Sequence, residues 1–488
     1  MDLNYSKNKY LILANAYPHP GNLYQNGFVH RRVKAYQKHG IDIEVFVLSS
    51  NYTVNENYDY DGVSVVRGNT SELYSYLSSN TFDKVLIHFV TKNMIETIKK
   101  CTPNTPIIIW IHGYEAETWH RRWFNYLDNG TGLKEMFKKY NHINRQIELL
   151  NYLYQTSELD LTFIHISKWF KESVAECDAR TSTQNSYIVP NFIDGSLFNY
   201  KVKSPEQRFR ILSIRPYASK KYANDLSVKA VLELSKRPYF KYLHFTFWGD
   251  GIYFNEIIQP LRKFKNIQIN QGFLPQDQIA KIHKENGVFL CPTRLDSQGV
   301  SMCEAMSSGL VPISNNVAAI PEFVEHNRNG LLAEQEDFVH IANLIERLYY
   351  DSELFSKLSQ NAAHDIRLKC DEETVISKEL TLMRQRHSGK VAYQDLLDNQ
   401  YWLNRYSELE NQLYSMCKMY LEIHTNAEKQ YEIEITNIKK ELKSLQNFKH
   451  SIDVTFMGRI AKSYIQFKKH LKNLPVFSRK LLVSVLRK

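Results

Sequence analysis

The sequence predicts an α/β protein built on mostly parallel β-sheets, followed by a helical extension. Short apolar runs alternate with helical spacing from the start of the chain, at 9–16, 43–48, 64–67, 84–89 and 107–112. A chain of 488 residues with 43% hydrophobic content can form two or three domains with real cores. Beyond residue 393 the composition changes, and apolar residues recur with a heptad spacing that is typical of long helices.

The first strand, at 9–16, is followed by a loop with Gly21 and a helix at 27–39. The last strand of this series, at 107–111, ends in His112, at the carboxyl edge of the predicted sheet. Open α/β sheets bind their ligands at that edge. The triplet at 59–61, Asp-Tyr-Asp, lies in a polar stretch before a glycine, and we interpret it as a turn rather than a metal site.

Charge and cysteine content exclude several functional classes. The formal net charge of +10 arises largely from residues 456–488, which carry nine basic and no acidic residues. A nucleic-acid enzyme spreads basic residues over its fold, so this tail points to a local anionic surface instead. The six cysteines form no CxxC pair and no Cys/His cluster, so we expect neither zinc nor disulfides. No apolar run is long enough for a signal core or a membrane span, and we expect a cytoplasmic protein.

The stretch at 290–333 carries the clearest chemical pattern. It reads as a strand, a polar loop, a helix that begins near Val300 and a second strand at 311–314. Gly299 allows close approach of the backbone, and the free N–H groups of Val300 and Ser301 at a positive helix end suit a phosphate. Two carboxylates, Asp296 and Glu304, flank this anion site. Ionised carboxylates accept hydrogen bonds from neighbouring hydroxyl groups, as sugars present them.

This pattern resembles the nucleotide-sugar site of the GT-B glycosyltransferases, in particular the retaining family 4. Those enzymes carry two Glu separated by seven residues, with Glu-Ala-Met around the second, as at Glu304. Here Asp296 stands at the upstream position instead of Glu. The resemblance implies that Glu304 holds the donor's ribose and that Asp296 contacts the transferred sugar. It continues through Gly309, Pro312, Ile320-Pro321-Glu322 and Asn329-Gly330.

The same resemblance assigns candidate residues at other strand ends. Arg215 and Lys220 fit the family's clamp on the donor diphosphate, with Lys221 as the alternative because the usual Gly after the Lys is missing. His112 matches a histidine that reaches the reacting sugar or its phosphate, and Glu115 is a weaker candidate. Residues implied for the base pocket and for approach to the phosphate are Gly249, Gly272, Phe273 and Gly27, with Gly21 as the alternative to Gly27.

An aromatic and basic stretch at 119–126 follows the His112 strand. Two interpretations stay open for it. Its rings and arginines stack on sugar faces or bind an acceptor's phosphate, or the stretch is an amphipathic helix that packs its Trp and Phe side chains on the core.

The segment at 188–198 resembles the family's domain-crossing motif, although Phe192 replaces its usual Gly. The resemblance therefore predicts two Rossmann-like domains that face a cleft, an acceptor domain at 1–200 and a donor domain at 201–392. A coiled-coil helix at 393–452 and a basic amphipathic tail at 453–488 are expected to follow.

The extension has two predicted parts. The first presents a heptad seam with a stutter, which indicates self-association or packing along a partner helix through 400–450, with a hairpin folded back on the enzyme as the alternative. The second part combines the basic residues with an apolar face, interrupted by Pro475, and fits an anionic membrane interface or an acidic protein partner. The seam positions are Tyr406, Leu409, Leu413, Met416, Tyr420, Ile423, Ala427, Tyr431, Ile435, Ile438, Leu442 and Leu445.

The resemblance, which covers about 9–390, implies a metal-independent transferase that needs no cofactor. It would move a sugar, with retention, from a nucleotide-diphosphate sugar to a glycan or lipid-linked acceptor in surface polysaccharide assembly. The tail would hold it peripherally at the inner face of the membrane, and no nucleic-acid partner is expected. Two alternatives stay open: a nucleotide-sugar epimerase of the same fold, and a non-catalytic coiled-coil scaffold.

Overall fold

The computed structural model describes residues 9–19, 25–49, 56–126, 130–183, 185–385, 393–394, 413, 417, 421, 424–442, 464–466 and 468–469. The alternative phosphate glycine, Gly21, lies outside these ranges, as do most of the basic tail and the seam positions Tyr406, Leu409, Met416, Tyr420, Ile423 and Leu445. The chain divides into two compact units, one with residues 1–125 and 138–405 and the other with 126–137 and 406–488.

The N-terminal half of the first unit is organised around an eight-stranded sheet with the order β3-β4-β2-β1-β5-β6-β7-β9. All its strands are parallel except β3, which pairs antiparallel with β4. The strands of this part of the chain are β1 Lys9–Ala14, β2 Asp42–Leu48, β3 Glu56–Tyr60, β4 Val63–Gly68, β5 Lys84–His88, β6 Ile107–Ile111, β7 Leu161–His165, β8 Ser182–Thr183 and β9 Ser186–Ile188.

Helices connect these strands and cover the sheet. They are α1 Gly27–Lys38, α2 Thr70–Ser79, α3 Lys92–Cys101, α4 Gly130–Gln155 and α5 Glu176–Ala179, with 3₁₀ turns at Tyr114–Ala116 and Trp119–Asn125 and a π-helical segment at Phe170–Ala175. Alternate residues of β1 face opposite sides, with Leu11 and Leu13 in one apolar cluster and Tyr10 and Ile12 in another. The strands are therefore buried on both faces, as parallel sheets require.

The C-terminal half repeats this plan with six parallel strands in the order β12-β11-β10-β13-β14-β15. Its strands are β10 Arg210–Ile214, β11 His244–Gly249, β12 Ile267–Gln271, β13 Val288–Leu290, β14 Val311–Asn315 and β15 Leu331–Ala333, and β16 Tyr393–Gln394 pairs with β8. Its helices are α6 Asn224–Leu234, α7 Phe254–Ile258, α8 Gln276–Glu285, α9 Val300–Ser307, α10 Phe338–Tyr350, α11 Ser352–Cys370 and α12 Glu372–Arg384, with 3₁₀ turns at Pro205–Phe209, Lys220–Tyr222, Phe240–Tyr242, Gln259–Leu261 and Ile320–Glu322.

The last helix of this half, α12, returns to the N-terminal sheet. Val375 and Ile376 of α12 are buried in the same apolar cluster as Val29 and Val33 of α1. Glu379 of α12 accepts a hydrogen bond from Arg32 Nε of α1 at 3.0 Å. A helix formed late in the chain therefore helps to hold the first sheet together.

Further contacts join the two halves near the point where the chain crosses between them. Gln298 Oε1 accepts hydrogen bonds from the backbone N–H of Asn191 at 2.7 Å and from its side-chain amide at 2.9 Å. The carboxylate of Glu322 accepts from the backbone N–H groups of Lys168, at 2.9 Å, and Trp169. Because first-turn N–H groups lack intrahelical partners, Glu322 caps the helical segment that begins there.

The predicted strands and helices lie within a few residues of their observed positions, but one interpretation was incomplete. Asp59 and Tyr60, read as part of a turn, end the antiparallel strand β3, and only Asp61 and Gly62 form the turn to β4. The cause is local: β3 is only partly buried, so its sequence lacks an apolar signal.

In the second unit, residues 424–442 are helical. Of the predicted seam positions on this helix, Ala427, Tyr431, Ile435 and Ile438 are half-buried, whereas Leu442 is exposed. The coiled coil itself stays a prediction. Across the described ranges, no helix combines the length and the apolar character that a membrane crossing requires.

Candidate functional site

The carboxyl ends of β10, β11 and β12 and the start of α9 surround one cavity of about 610 Å³. This edge of a parallel sheet is where α/β folds bind ligands. The side chains and backbone that line the cavity are Ile214, Arg215, Pro216, Lys221, Tyr222, Gly249, Gly272, Phe273, Leu274, Ile279, Asp296, Val300 and Ser301. Eight of these thirteen residues were predicted from the sequence as site residues. Five other predicted site residues do not line the cavity: Gly27, His112, Lys220, Gly299 and Glu304.

Arg215 is the central cation of this cavity. It directly follows β10 and is only 4% exposed, and its Nη1 donates to Ser301 Oγ at 3.0 Å. The guanidinium lies over the Tyr222 ring, 4.8 Å from its centroid. Its Nε is buried and has no hydrogen-bond partner among the described residues. A buried guanidinium with an unused donor is suited to an anionic ligand.

The structure distinguishes the two candidate lysines. Lys221 lines the cavity, and its Nζ lies 4.0 Å from Asp296 Oδ1. Lys220 is absent from the cavity lining, and its Nζ lies 5.7 Å from the centroid of the Tyr253 ring. The second cation beside Arg215 is therefore Lys221, the alternative that the spacing left open.

Asp296 and Gly299 shape the beginning of α9. Asp296 Oδ1 accepts a hydrogen bond from the Gly299 N–H at 3.0 Å, and Asp296 Oδ2 lies 3.8 Å from Arg215 Nη2. Gly299 has φ 78°, a left-handed conformation that favours glycine. The carboxylate thus caps the loop and pairs with a cation of the cavity, while Val300 and Ser301 present the first turn of the helix to it.

Glu304 lies one turn further along α9, where it is 6% exposed. Gln276 Nε2 donates to its Oε1 at 3.2 Å, and Arg31 Nη1 of the N-terminal half lies 3.6 Å from the same oxygen. Burial raises the pKa of this carboxyl to about 7, and the nearby Arg31 opposes that rise. Glu304 is therefore a buried carboxylate with only weak partners.

The predicted glycines serve different purposes. A Cβ on Gly249 would lie 2.0 Å from the Arg215 carbonyl oxygen and 2.7 Å from the Tyr217 ring, so the packing of β10 against β11 requires glycine there. Gly272 has φ 137° and open space where a Cβ would be. Phe273 next to it is 63% exposed, so its ring is available to a flat ligand at the rim of the cavity.

His112 follows β6 and is buried in the N-terminal half. Its Nε2 is 2.9 Å from His88 Nδ1, and its carbonyl oxygen accepts from Ser297 Oγ at 2.9 Å. Burial, with a smaller contribution from Arg32, lowers the pKa of His112 well below its usual range, so the ring is neutral. Glu115 accepts hydrogen bonds from the backbone of His112 and Gly113 and acts as a structural cap.

Gly27 begins α1, and nothing lies within 4 Å of where its Cβ would be, so packing does not demand glycine. The next residue, Phe28, contacts the His112 ring at 4.9 Å between centroids. Arg31, one turn later, reaches Glu304. The N-terminal end of α1 therefore faces the C-terminal half.

The arginines at 119–126 are engaged with neighbouring carboxylates. Arg121 Nε and Nη2 donate to the buried Asp178, each at 2.6 Å, and Arg122 donates to Glu117 at 2.5 Å. Trp119 is only 2% exposed. These contacts favour the interpretation of the stretch as part of the core.

Sequence reasoning missed Arg294, which supports the lysine loop. It pairs with Asp225 at 2.8 Å and with Glu336 at 2.6 Å, and its Nη1 donates to the Lys220 carbonyl at 2.9 Å. Its backbone N–H donates to the Lys221 carbonyl at 2.8 Å. Asn125 Oδ1 of the N-terminal half accepts from Ser219 Oγ and the Lys220 N–H of the same loop.

Sequence reasoning also missed Arg31 and Gln276, which bind each other at 2.6 Å and both approach Glu304. No local motif marks these residues, because they come from helices far from Glu304 in the sequence. Within the described ranges, no group of three or more His, Cys, Asp or Glu side chains is arranged to hold a metal ion.

Comparison with known proteins agrees with this geometry. Residues 198–365 match the family model described as Glycosyl transferases group 1. N-acetyl-alpha-D-glucosaminyl L-malate synthase of Bacillus anthracis is 28% identical over 150 residues, which are 29% of this chain and 39% of that enzyme. The amylovoran biosynthesis glycosyltransferase AmsK of Erwinia amylovora is 36% identical over 83 residues, 16% of this chain and 20% of that protein. The chain thus matches well under half the length of these relatives.

Solved structures extend the likeness to both halves. Sucrose-phosphate synthase from Thermosynechococcus elongatus superposes with a TM-score of 0.61 at 12% identity, covering 78% of this chain and 99% of that one. HepE of Anabaena, solved with UDP and glucose, gives 0.56 at 13% identity, covering 77% and 99%. The family match is therefore confined to residues 198–365, whereas the superpositions show that the α/β fold of both halves is similar to that of these solved structures.

Proposed function

We propose that this protein transfers a sugar from a nucleotide-diphosphate sugar to a hydroxyl group of a glycan or lipid-linked acceptor, with retention of configuration. The observation that carries the proposal is the cavity at the ends of β10 to β12, where Arg215 and Lys221 meet the start of α9. Two cations and a helix N-terminus in one cavity favour a diphosphate.

The proposed division of work follows the position of each group. Arg215, Lys221 and the N–H groups at Val300 and Ser301 stabilise the negative charge that develops on the leaving diphosphate. Glu304 accepts hydrogen bonds from the ribose hydroxyls. This assignment is supported by the fact that its partners are a weak ion pair and one amide, which a ligand can replace.

The transferred sugar would lie between Asp296 and His112. This proposal is supported by the hydrogen bond from Ser297 Oγ, next to Asp296 in the chain, to the His112 carbonyl oxygen at 2.9 Å. A neutral His112 can donate or accept a hydrogen bond without adding charge. In the proposed retaining reaction the acceptor hydroxyl attacks beside the departing phosphate, and fixed geometry and leaving-group stabilisation supply the catalysis without a metal ion or cofactor.

The donor is a uridine nucleotide sugar in this proposal, since HepE, whose fold is similar, was solved with UDP. Exposed Phe273 would stack on the base. Assembly of a surface polysaccharide is proposed by analogy with the amylovoran enzyme.

The proposal also includes the domain limits at residue 200 and residue 392 and the role of the C-terminal extension. The heptad seam of 400–450 would pair with a second copy or a partner helix. The basic segment 456–488 would bind an anionic membrane surface from the cytoplasmic side and bring the cleft to a lipid-carried acceptor.

A nucleotide-sugar panel tests the proposal on the full chain. Wild type and Glu304→Ala are compared for thermal protection by UDP-, GDP- and ADP-sugars and for slow release of free sugar. We expect one donor to protect the wild type from thermal unfolding and to be slowly hydrolysed. In Glu304→Ala, which loses hydrogen bonds to a charged group, the donor affinity inferred from this protection and the rate of hydrolysis should each fall by more than about tenfold. Glu256→Ala, on α7, is the matched control.

If no nucleotide or nucleotide sugar protects the wild type at millimolar concentration, the transferase assignment is wrong. If a donor binds but is converted to an epimer without any acceptor, the epimerase reading replaces it. If a nucleotide sugar protects Glu304→Ala as well as the wild type, Glu304 does not bind the donor, and the other assignments are unaffected.

A further inference from the structure

Phe89 has a backbone conformation that bulky residues rarely adopt. It directly follows β5, and its φ is 62°, in the left-handed region. Among the residues that the structure describes, it is the one aromatic residue with positive φ. This conformation is strained for a bulky side chain, and such strain is concentrated at functional sites. The position of Phe89 therefore calls for a reason beyond local chain geometry.

The strained residue forms one side of an aromatic cluster. Its ring is nearly parallel to Tyr114, with an interplanar angle of 14° and 5.8 Å between centroids. It also contacts His112 at 4.9 Å and Phe28 at 6.0 Å. Phe89 is half-buried, whereas the Tyr114 side chain is 50% exposed. The cluster thus presents the Tyr114 ring to solvent on a rigid aromatic support.

Two uncharged amides lie at the edge of this cluster. Asn15 Nδ2 donates to the Tyr114 hydroxyl at 3.1 Å, and Asn26 Nδ2 donates to Asn15 Oδ1 at 3.3 Å. Amides and a phenol can exchange hydrogen bonds with neutral hydroxyl groups. An aromatic face with amides at its edge matches a sugar ring, which has an apolar C–H face and equatorial hydroxyls.

The cluster lies beside the proposed reaction centre. His112, which contacts Phe89, accepts through its carbonyl from Ser297, and the neighbouring Asp296 lines the donor cavity. A ring stacked on Tyr114 would therefore be on the N-terminal side of the cleft, next to the sugar to be transferred.

We infer that Tyr114, supported by Phe89, is an acceptor platform on which a pyranose ring stacks, so that the acceptor is a glycan rather than a hydroxy acid or a simple glycerol. This inference rests on the proposed transferase function and specifies its acceptor. In the transfer, the acceptor oxygen forms the new bond to the donor's anomeric carbon, the bond from that carbon to the phosphate oxygen breaks, and the acceptor's proton goes to the leaving diphosphate.

Saturation-transfer NMR on the full chain with UDP tests the platform. The probes are the methyl glycosides of glucose, galactose and N-acetylglucosamine, with L-malate and glycerol as acceptors that lack a ring. We expect at least one glycoside to bind through its ring C–H face. Its Kd should rise about tenfold in Tyr114→Ala and be restored in Tyr114→Phe, because only the alanine variant lacks the aromatic face.

Tyr74→Ala is the matched control, since Tyr74 lies on α2 and is 49% exposed, like Tyr114. Equal glycoside binding by Tyr114→Ala and wild type would overturn the platform, and so would binding of malate or glycerol in preference to every glycoside. No binding of any probe would also count against it. Protection by the nucleotide sugar is measured in parallel. If no nucleotide sugar protects the wild type, the proposed function has failed. If the nucleotide sugar still protects Tyr114→Ala, the substitution has affected acceptor binding and not donor binding.

Discussion

Two adjacent arginines of α1, Arg31 and Arg32, reach two buried glutamates, and the pairs differ in completeness. Glu379 is fully buried and accepts from Arg32 Nε at 3.0 Å, Trp110 Nε1 at 3.1 Å and Tyr36 OH at 2.5 Å. Its carboxylate therefore has three donors.

Glu304 is nearly as buried, but one amide donates to it and Arg31 stays 3.6 Å away. The pKa of Glu304 is raised because burial destabilises the charged carboxylate and its few partners offset this cost only in part. The difference teaches that a buried carboxylate with three donors serves the fold, whereas the weak pairing of Glu304 supports its proposed role toward a ligand.

The largest expected effect separates the two glutamates by stability. Glu379→Ala leaves buried donors of Arg32, Trp110 and Tyr36 without an acceptor and should cost about 3–5 kcal/mol. The midpoint of thermal unfolding, measured at pH 7.5, should fall by more than about 5 °C. Glu304→Ala should leave it unchanged or raise it. Similar losses in both variants would contradict the distinction.

A second difference is the pH dependence that Glu304 confers. The folded state raises the pKa of this carboxyl from 4.5 to about 7, so between these values the folded protein holds more protons than the unfolded chain. Stability therefore falls as pH rises through this window and levels off above it.

Relative to Glu304→Gln, the wild type should lose roughly 3 kcal/mol between pH 4.5 and 7, at 1.36 kcal/mol per pKa unit. Denaturant unfolding of both proteins across this range measures the difference. Glu115, whose pKa burial also raises to about 7, is present in both and cancels. Parallel stability curves for the two proteins would show that Glu304 does not titrate in this window.

Substitutions in the cavity beside Arg215 should lower ligand affinity without lowering stability. Lys221→Ala removes a cation from the cavity and should weaken UDP binding about tenfold, or 1.4 kcal/mol. Lys220→Ala should change the affinity by less than about threefold, since Lys220 does not line the cavity. Isothermal titration with UDP measures both. A larger loss of UDP affinity in Lys220→Ala than in Lys221→Ala would show that Lys220, which the family spacing favoured, is the cation that binds the diphosphate.

The smallest expected effect concerns Arg31. The Arg31→Met variant removes a partly exposed ion pair, with 24% of the Arg31 side chain exposed, and should cost less than about 1 kcal/mol. Because Arg31 lowers the pKa of Glu304, its loss should move the pH-dependent step of stability to higher pH. A step that stays in place would show that Arg31 and Glu304 are not coupled.

The sequence predicted the secondary structure of the site well because its signals are local. The apolar run before Arg215, Gly299 with the helix start behind it, and the Glu304-Ala-Met motif each lie within a few residues. Strand β3 was missed because its side chains are mostly exposed and no apolar alternation marks it.

Side-chain direction was less accessible to the sequence. The loop after β10 carries two adjacent lysines, and spacing along the chain could not decide between them. The fold did so, because Arg294 and Asn125 hold the backbone of the loop such that Lys221 lines the cavity.

By itself, the sequence determined the parallel α/β architecture and the strand ends at which the candidate cations and carboxylates meet. Apolar periodicity and short motifs are sufficient for this, since residues at the carboxyl ends of parallel strands share one edge. Only the tertiary structure decided which charges are paired, which ring is exposed and which lysine enters the cavity. Arg32 and Glu379 are 347 positions apart, and such contacts depend on the packing of whole helices rather than on neighbouring residues.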